Sequence, residues 1–174
     1  PFILNGTSLI LSRALNFEEQ SSYTVPFEIS DGNGITELSV VITVTNENDA
    51  PTGLSLSENE TDENQGAVEI GTFSSEDQDS GGSFTYSLIN GVTDNNAFTI
   101  VGDSLFSIGN LNFETRSRYT IAVMTSDGSS SLVKEFEIIV KDINEAPEDI
   151  SLSSNSINEN IGDSTVIGTL QAQD

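Results

Sequence analysis

Carboxylates are the side chains of this sequence best placed to do chemistry, because many of them gather in short runs between apolar stretches. Asn46-Glu47-Asn48-Asp49-Ala50-Pro51 is one run, Asp142-Ile143-Asn144-Glu145-Ala146-Pro147 a second and Asp77-Gln78-Asp79 a third. Glu18, Glu63, Glu114, Glu159 and Asp174 add further acids in turn-like surroundings. Calcium takes six to eight oxygens, which carboxylates, Asn side chains and backbone carbonyls of several loops can supply together. The chain holds no Cys and no His. Thiolate and imidazole sites are therefore excluded, with the cysteine nucleophile and the commonest general base. A metal held here is a hard cation on oxygen.

The charge balance points the same way. Lys and Arg number 5 against 28 Asp and Glu, a net charge of -23, which repels phosphate backbones and anionic lipid surfaces. Nucleic acid and membrane insertion are not expected partners. Self-repulsion on this scale also opposes a compact state unless cations sit among the acids. Acidity can mark disorder, but the chain is 35% hydrophobic, with Val, Ile, Leu, Phe and Thr in short alternating runs that suit folded strands. No enzyme is expected. Glycosidases work with two carboxylates in an apolar cleft, usually with aromatics to hold sugar, whereas this chain has no Trp and only 3 Tyr. Neither a Gly-x-Ser-x-Gly elbow nor a phosphate-binding glycine loop is present.

The elements that must position the acids emerge from self-comparison. Leu15-Asn16-Phe17-Glu18 recurs as Leu111-Asn112-Phe113-Glu114, a step of 96 residues from 15 to 111. Ser30-Asp31-Gly32 recurs as Ser126-Asp127-Gly128, Asn48-Asp49-Ala50-Pro51 as Asn144-Glu145-Ala146-Pro147, and Glu63-Asn64 as Glu159-Asn160, all at that step. Ile70-Gly71-Thr72 matches Ile167-Gly168-Thr169 one residue later. The sequence thus divides into the C-terminal half of one unit (1–51), a complete unit (52–147) and the N-terminal start of a third (148–174). A chain that starts and stops inside a unit reads as a piece of a longer protein. Pro1 to Ser8 does not read as a signal peptide, and no apolar run approaches the roughly 20 residues that span a bilayer.

Within the complete unit the apolar period is two. Tyr119, Ile121 and Val123 alternate with Thr120, Ala122 and Met124, and Phe136, Ile138 and Val140 follow the same rule. Further strands are expected at Leu54–Ser57, Val68–Phe73, Phe84–Ile89, Phe98–Val101 and Leu105–Ile108, which makes seven. Asn5-Gly6 and Gly102-Asp103 are hairpin-turn signals at equivalent places. The fold class implied is all-β, a tandem array of Greek-key β-sandwiches of immunoglobulin-like type.

The arrangement resembles cadherin repeats, and more closely the cadherin-like repeats of large bacterial surface proteins. Glu63-Asn64 and Glu159-Asn160 look like that family's first-strand glutamate, Leu111-Asn112-Phe113-Glu114 like its Leu-Asp-Arg-Glu element and Asp77-Gln78-Asp79 like its Asp-x-Asp. Asp142-Ile143-Asn144-Glu145-Ala146-Pro147 is similar to its linker, one residue shorter, and Asp127 matches an additional aspartate. The resemblance implies Ca²⁺ at each inter-repeat junction. The first junction would draw on Asn16, Glu18, Asn48 and Asp49 with Asp77, Asp79 and Asp127; the second on Glu63, Glu114, Asp142, Asn144 and Glu145 with Asp174. Asn16 and Asn112 stand where the family has aspartate, and Asn46 stands where the second linker has Asp142. The lost charge leaves room for at most about two ions per junction. The implied setting is extracellular, with adjacent repeats, another copy of the chain or a cell-surface ligand as partners. A calcium-stiffened spacer of an adhesin is the leading function. A module recognising carbohydrate, peptide or itself is the alternative, and a hydrolase the least favoured.

Overall fold

The computed structural model describes residues 1–79, 81–91, 94–147 and 149–173. Apart from a 3-10 turn at Asn95–Ala97, its regular structure is all strand: β1 Phe2–Asn5, β2 Ser8–Leu11, β3 Ser22–Ser30, β4 Ile35–Thr43, β5 Gly53–Leu56, β6 Glu60–Asp62, β7 Glu69–Glu76, β8 Thr85–Leu88, β9 Phe98–Val101, β10 Ser104–Ser107, β11 Arg118–Ser126, β12 Ser131–Lys141, β13 Asp149–Leu152 and β14 Leu170–Gln173. Among the described residues no helix is long and apolar enough to cross a membrane.

Two four-stranded sheets pack face to face in the middle of the chain, in the orders β5-β7-β10-β9 and β6-β12-β11-β8. The period-two alternation explains the core between them. Ile121, Val123 and Thr125 of β11 and Ile138 and Val140 of β12 turn inward and are buried, as is Leu105 of β10. The buried hydroxyl of Thr125 is satisfied across the core by Ser75 of β7, at 2.8 Å. Ala122 is buried on the opposite face of β11, where the carboxamide of Asn95 both accepts from its N–H and donates to its carbonyl, at 2.9 Å each. These sheets with their crossing connections form a β-sandwich.

Among the described residues of 52–147 there are eight strands where seven are expected. The addition is β6, which leaves the first sheet after β5 and lies parallel to the end of β12, pairing Glu60 with Ile139 and Asp62 with Lys141. Three residues of the type Glu-Thr-Asp are too short and too polar to show a period. Only Thr61 turns inward, and it is buried. At the surface Asp62 meets Lys141 Nζ at 3.3 Å. Gly71 permits the crossing, since a Cβ there would lie 2.5 Å from the Glu58 carbonyl oxygen.

The flanking strands keep the same spacing. β1 and β2 pair in register from Phe2↔Leu11 to Asn5↔Ser8, as β9 and β10 pair from Phe98↔Ser107 to Val101↔Ser104. Phe2 meets Tyr23 edge-on at 5.4 Å, and 96 residues later Phe98 meets Tyr119 edge-on at 5.6 Å. Gly6 and Gly102 turn the two hairpins at φ of 62° and 66°. Asn64 and Asn160 share left-handed values of 59° and 63°.

Leu105→Ala is expected to cost about 2–5 kcal/mol, because the site is closed on all sides. Val101→Ala, at a position 65% exposed, is expected to stay within about 0.5 kcal/mol of wild type. Urea denaturation checks both, and equal costs would contradict the assignment of the core.

Candidate metal centres

Two groups of three carboxylates converge, each with oxygens within 4.8 Å of one another. Oxygens bound about 2.4 Å from one calcium ion lie at most about 4.8 Å apart, so both groups match the reach of a single ion. The first group is Glu18, Asp49 and Asp79; the second is Glu63, Glu114 and Glu145. Neither group takes part in any of the three salt bridges among the described residues. Arg116 is held by Asp94 at 2.6 Å and Arg118 by Glu137 at 2.6 Å, so neither neutralises Glu114.

Three segments build the first group. Glu18 follows β2, where Asn16 Oδ1 accepts from the N–H groups of Glu18 and Glu19 at 2.7 and 3.1 Å and fixes the turn. Asn16 also donates to Gln78 Oε1 at 3.1 Å, tying that turn to the Asp77-Gln78-Asp79 loop after β7. Asp77 Oδ1 accepts from the Asp79 N–H at 3.0 Å, so it shapes the loop that presents Asp79. The segment between β4 and β5 is pinned by the carboxylate of Asp79, which accepts from Asn46 Nδ2 at 2.9 Å and from the Asp49 N–H at 2.7 Å. Those two donors, the Asn46 amide foremost, lower the pKa of Asp79. Asn48 Nδ2 donates to Asp127 Oδ2 at 3.1 Å, and Asp127 Oδ1 accepts from Ser129 and Ser130 N–H, both at 2.6 Å. The two serine donors hold the Asp127 pKa low. A cleft of about 540 Å³ lined by Glu18, Asn46, Asn48 and Asp79 opens beside the group.

The second group is anchored on Glu63, which is wholly buried. Its two oxygens accept from the backbone N–H of Ile143 and of Phe113, each at 2.9 Å, and these bonds lower its pKa. Glu63 is thus fixed as an anion, with its charge beside Glu114 and Glu145. Glu145 accepts from Asn64 Nδ2, yet burial, followed by the charges of Glu63 and Glu114, raises its pKa. Asp142 and Asn144 line the same cleft as Glu114 and Glu145, about 360 Å³ in volume. Asn144 Nδ2 donates to the Glu145 carbonyl at 3.1 Å, as Asn48 does to that of Asp49 at 2.6 Å.

Of the acids and amides singled out by sequence, the structure brings together Glu18, Asp49 and Asp79, and separately Glu63, Glu114 and Glu145. Asn16, Asn48, Asp77 and Asp127 surround the first group with their side chains engaged in turn and linker contacts. Asp174 lies outside the described residues. Asn46 and Asn64 were missed as positioning residues. Asn46 could have been sought within its acidic run, but the reach of Asn64 to Glu145 depends on its left-handed backbone, which no spacing reveals.

The two groups correspond in part. Glu18 and Glu114 correspond at 96 residues, as do Asp49 and Glu145. The first group adds Asp79 from the loop after β7, and the second adds Glu63 from the end of β6.

No protein family's profile matches the chain. Its fold is similar to the Protocadherin GammaB4 extracellular domain, with a TM-score of 0.71 and 24% identity over 99% of this chain and 30% of that one. It is similar to Protocadherin Gamma B2 extracellular cadherin domains 3-6, at a TM-score of 0.72 and 20% identity over 99% of this chain and 44% of that one. Mouse Protocadherin-24 EC1-3 matches at a TM-score of 0.60 and 18% identity over 98% of this chain and 62% of that one. The chain spans less than two thirds of each, and the likeness is one of fold: an all-β sandwich architecture of cadherin type.

The opposed pKa directions in the second group fix a pH signature for the metal-free protein. The lowered pKa of Glu63 means a stabilising contribution that is present above the ordinary glutamate value and lost as pH falls through its own. Glu63→Gln should therefore destabilise at neutral pH, by less in acid. Glu145 is the reverse, since its raised pKa makes the ionised form a burden above the ordinary value. Glu145→Gln should be at least as stable as wild type at neutral pH, the difference closing as pH falls through the raised value. Melts from pH 3 to 8 check both, and two variants with the same pH trend would contradict the assignment.

Proposed function

We propose that this chain is a calcium-binding segment of cadherin-like tandem repeats from an extracellular adhesin, of the kind carried by large surface proteins, in which Ca²⁺ at the junctions stiffens the array as a spacer or adhesive stalk. Residues 1–51, 52–147 and 148–174 are read as the end of one repeat, a complete repeat and the start of a third. The observation that carries this reading is the convergence of Glu18, Asp49 and Asp79 from three separate loops, without a salt-bridge partner. Glu18 and Asp49 precede the central sandwich and Asp79 belongs to it, so whatever holds the three together also holds the joint.

Bound Ca²⁺ would supply the positive charge and the oxygen coordination that draw these loops together. The protein's own part is to orient the ligands. Asn46 and the Asp49 N–H aim Asp79, Asn16 fixes the Glu18 turn, and the Ile143 and Phe113 N–H groups hold Glu63 ionised at the other end. Proton competition is weak at Asp79 and Glu63, whose pKa values are low, and strongest at Glu145.

A thermal melt in millimolar Ca²⁺ against one in excess EDTA, with Mg²⁺ as control, tests the proposal. A calcium-specific rise of more than about 5 °C is expected, since a ligand that binds only the folded state stabilises it by mass action. Asp79→Ala is expected to remove a large part of the rise. Coincident melts would contradict calcium binding at these clusters.

A further inference from the structure

Neutral amides tie residues 1–51 to the central sandwich. Among the described residues three asparagine side chains and one backbone N–H cross this joint, and every donor lies on the 1–51 side. Asn16 Nδ2 donates to Gln78 Oε1 at 3.1 Å, Asn46 Nδ2 to Asp79 Oδ1 at 2.9 Å, Asn48 Nδ2 to Asp127 Oδ2 at 3.1 Å and the Asp49 N–H to Asp79 Oδ2 at 2.7 Å. The three salt bridges among the described residues all lie inside residues 52–147, so none of them spans the joint.

The acceptors fix which way the amides face. An ionised carboxylate only accepts, so the nitrogens of Asn46 and Asn48 must point at Asp79 and Asp127. Asn16 Oδ1 is taken by the N–H groups of Glu18 and Glu19 at 2.7 and 3.1 Å, which leaves its nitrogen for Gln78. Each carboxylate oxygen has two lone-pair sites, so Asp79 can accept both of its donors and still offer a lone pair to a metal. The amide hydrogens therefore face the place where Glu18, Asp49 and Asp79 meet, and they do so without closing it to a cation. At the corresponding position of the second linker, 96 residues on, the chain has Asp142, which lines a cleft with Glu114, Asn144 and Glu145. An aspartate at position 46 would add a charged oxygen ligand, but it would have no hydrogen to give Asp79. Asparagine supplies the hydrogen and forgoes the charge.

We infer that Asn46 is a positioning residue that keeps the first joint ordered when no metal is bound, and that the same residue lowers the calcium affinity of that joint. Its amide ties Asp79 to the linker through Oδ1, and the Asp49 N–H is thereby held on Oδ2 of the same carboxylate. Asn16 and Asn48 extend the hold to Gln78 and to Asp127. The linker is then set before calcium arrives, and calcium binds with one charged ligand fewer than an aspartate at position 46 would give it. The statement about affinity rests on the calcium reading; the metal-free hold does not.

Solvent exchange of the Asp49 amide in EDTA, followed in ¹⁵N–¹H spectra of the whole chain, tests the hold. In Asn46→Ala and in Asn46→Asp this amide is expected to exchange at least about tenfold faster than in wild type. The amides of Ser129 and Ser130, which Asp127 holds at 2.6 Å, are the reference and should be unchanged in both variants. Calcium titration then separates the variants: Asn46→Asp is expected to bind about tenfold more tightly than wild type, because a charged ligand has been added, while Asn46→Ala gains nothing. An Asp49 amide that exchanges as fast in wild type as in Asn46→Ala overturns the hold, and faster exchange at Ser129 and Ser130 in the variants overturns its assignment to Asn46. An Asn46→Asp variant that binds calcium no more tightly than wild type overturns the statement about affinity. Calcium binding by none of the three proteins removes the metal reading, and with it that statement, while the exchange rates still decide the hold.

Discussion

Like charges brought within reach of one ion are the constraint on which the rest of this structure turns. A net charge of -23 could have been spread over the outward positions of the strands, where water would screen it. Instead three carboxylates meet at each of two places, with Asp79 aimed by the Asn46 amide and the Asp49 N–H and Glu63 by the Phe113 and Ile143 N–H groups. The bonds that aim Asp79 and Glu63 keep them ionised, which sharpens the repulsion they impose on their neighbours. At Glu145 burial comes first and the charges of Glu63 and Glu114 add to it, raising its pKa. In the proposed reading, a cation offsets this repulsion.

The sandwich is what makes that geometry possible. Its buried strands β10, β11 and β12 fix the loops at their ends, and the linker around Asn46 to Pro51 is tied to the loop after β7 by Asn46, Asn48 and the Asp49 N–H. Binding at the first group therefore bears directly on the joint between the flanking strands and the central sandwich.

Much of this was legible in the sequence because a 96-residue repeat marks the same features twice. The Asn5-Gly6 and Gly102-Asp103 turns, the inward rows of β11 and β12 and the grouping of Glu18 with Asp49 all follow from matched positions and period. What stayed hidden depends on contacts without periodicity. β6 is three mostly polar residues that become a strand only by lying along β12, and Phe84 to Ile89 yields a shorter strand because pairing to β11 covers only Thr85–Leu88. Asn16, read as a ligand from its place in a motif, has its side-chain oxygen engaged by the turn that presents Glu18. Side-chain amides can bind metal, cap a turn or aim a neighbour, and spacing alone does not choose among these roles.

Backbone amides already bonded to the cluster acids offer the most direct reading of cation binding. In ¹⁵N–¹H spectra of the chain, millimolar Ca²⁺ is expected to move the amide signals of Asp49, Phe113 and Ile143 to saturation while Mg²⁺ does not, with Asp79→Ala abolishing the shift at Asp49 and leaving those at Phe113 and Ile143. Amide signals unmoved by calcium, or a response at Asp49 that survives the loss of Asp79, would contradict the assignment of these carboxylates as calcium ligands.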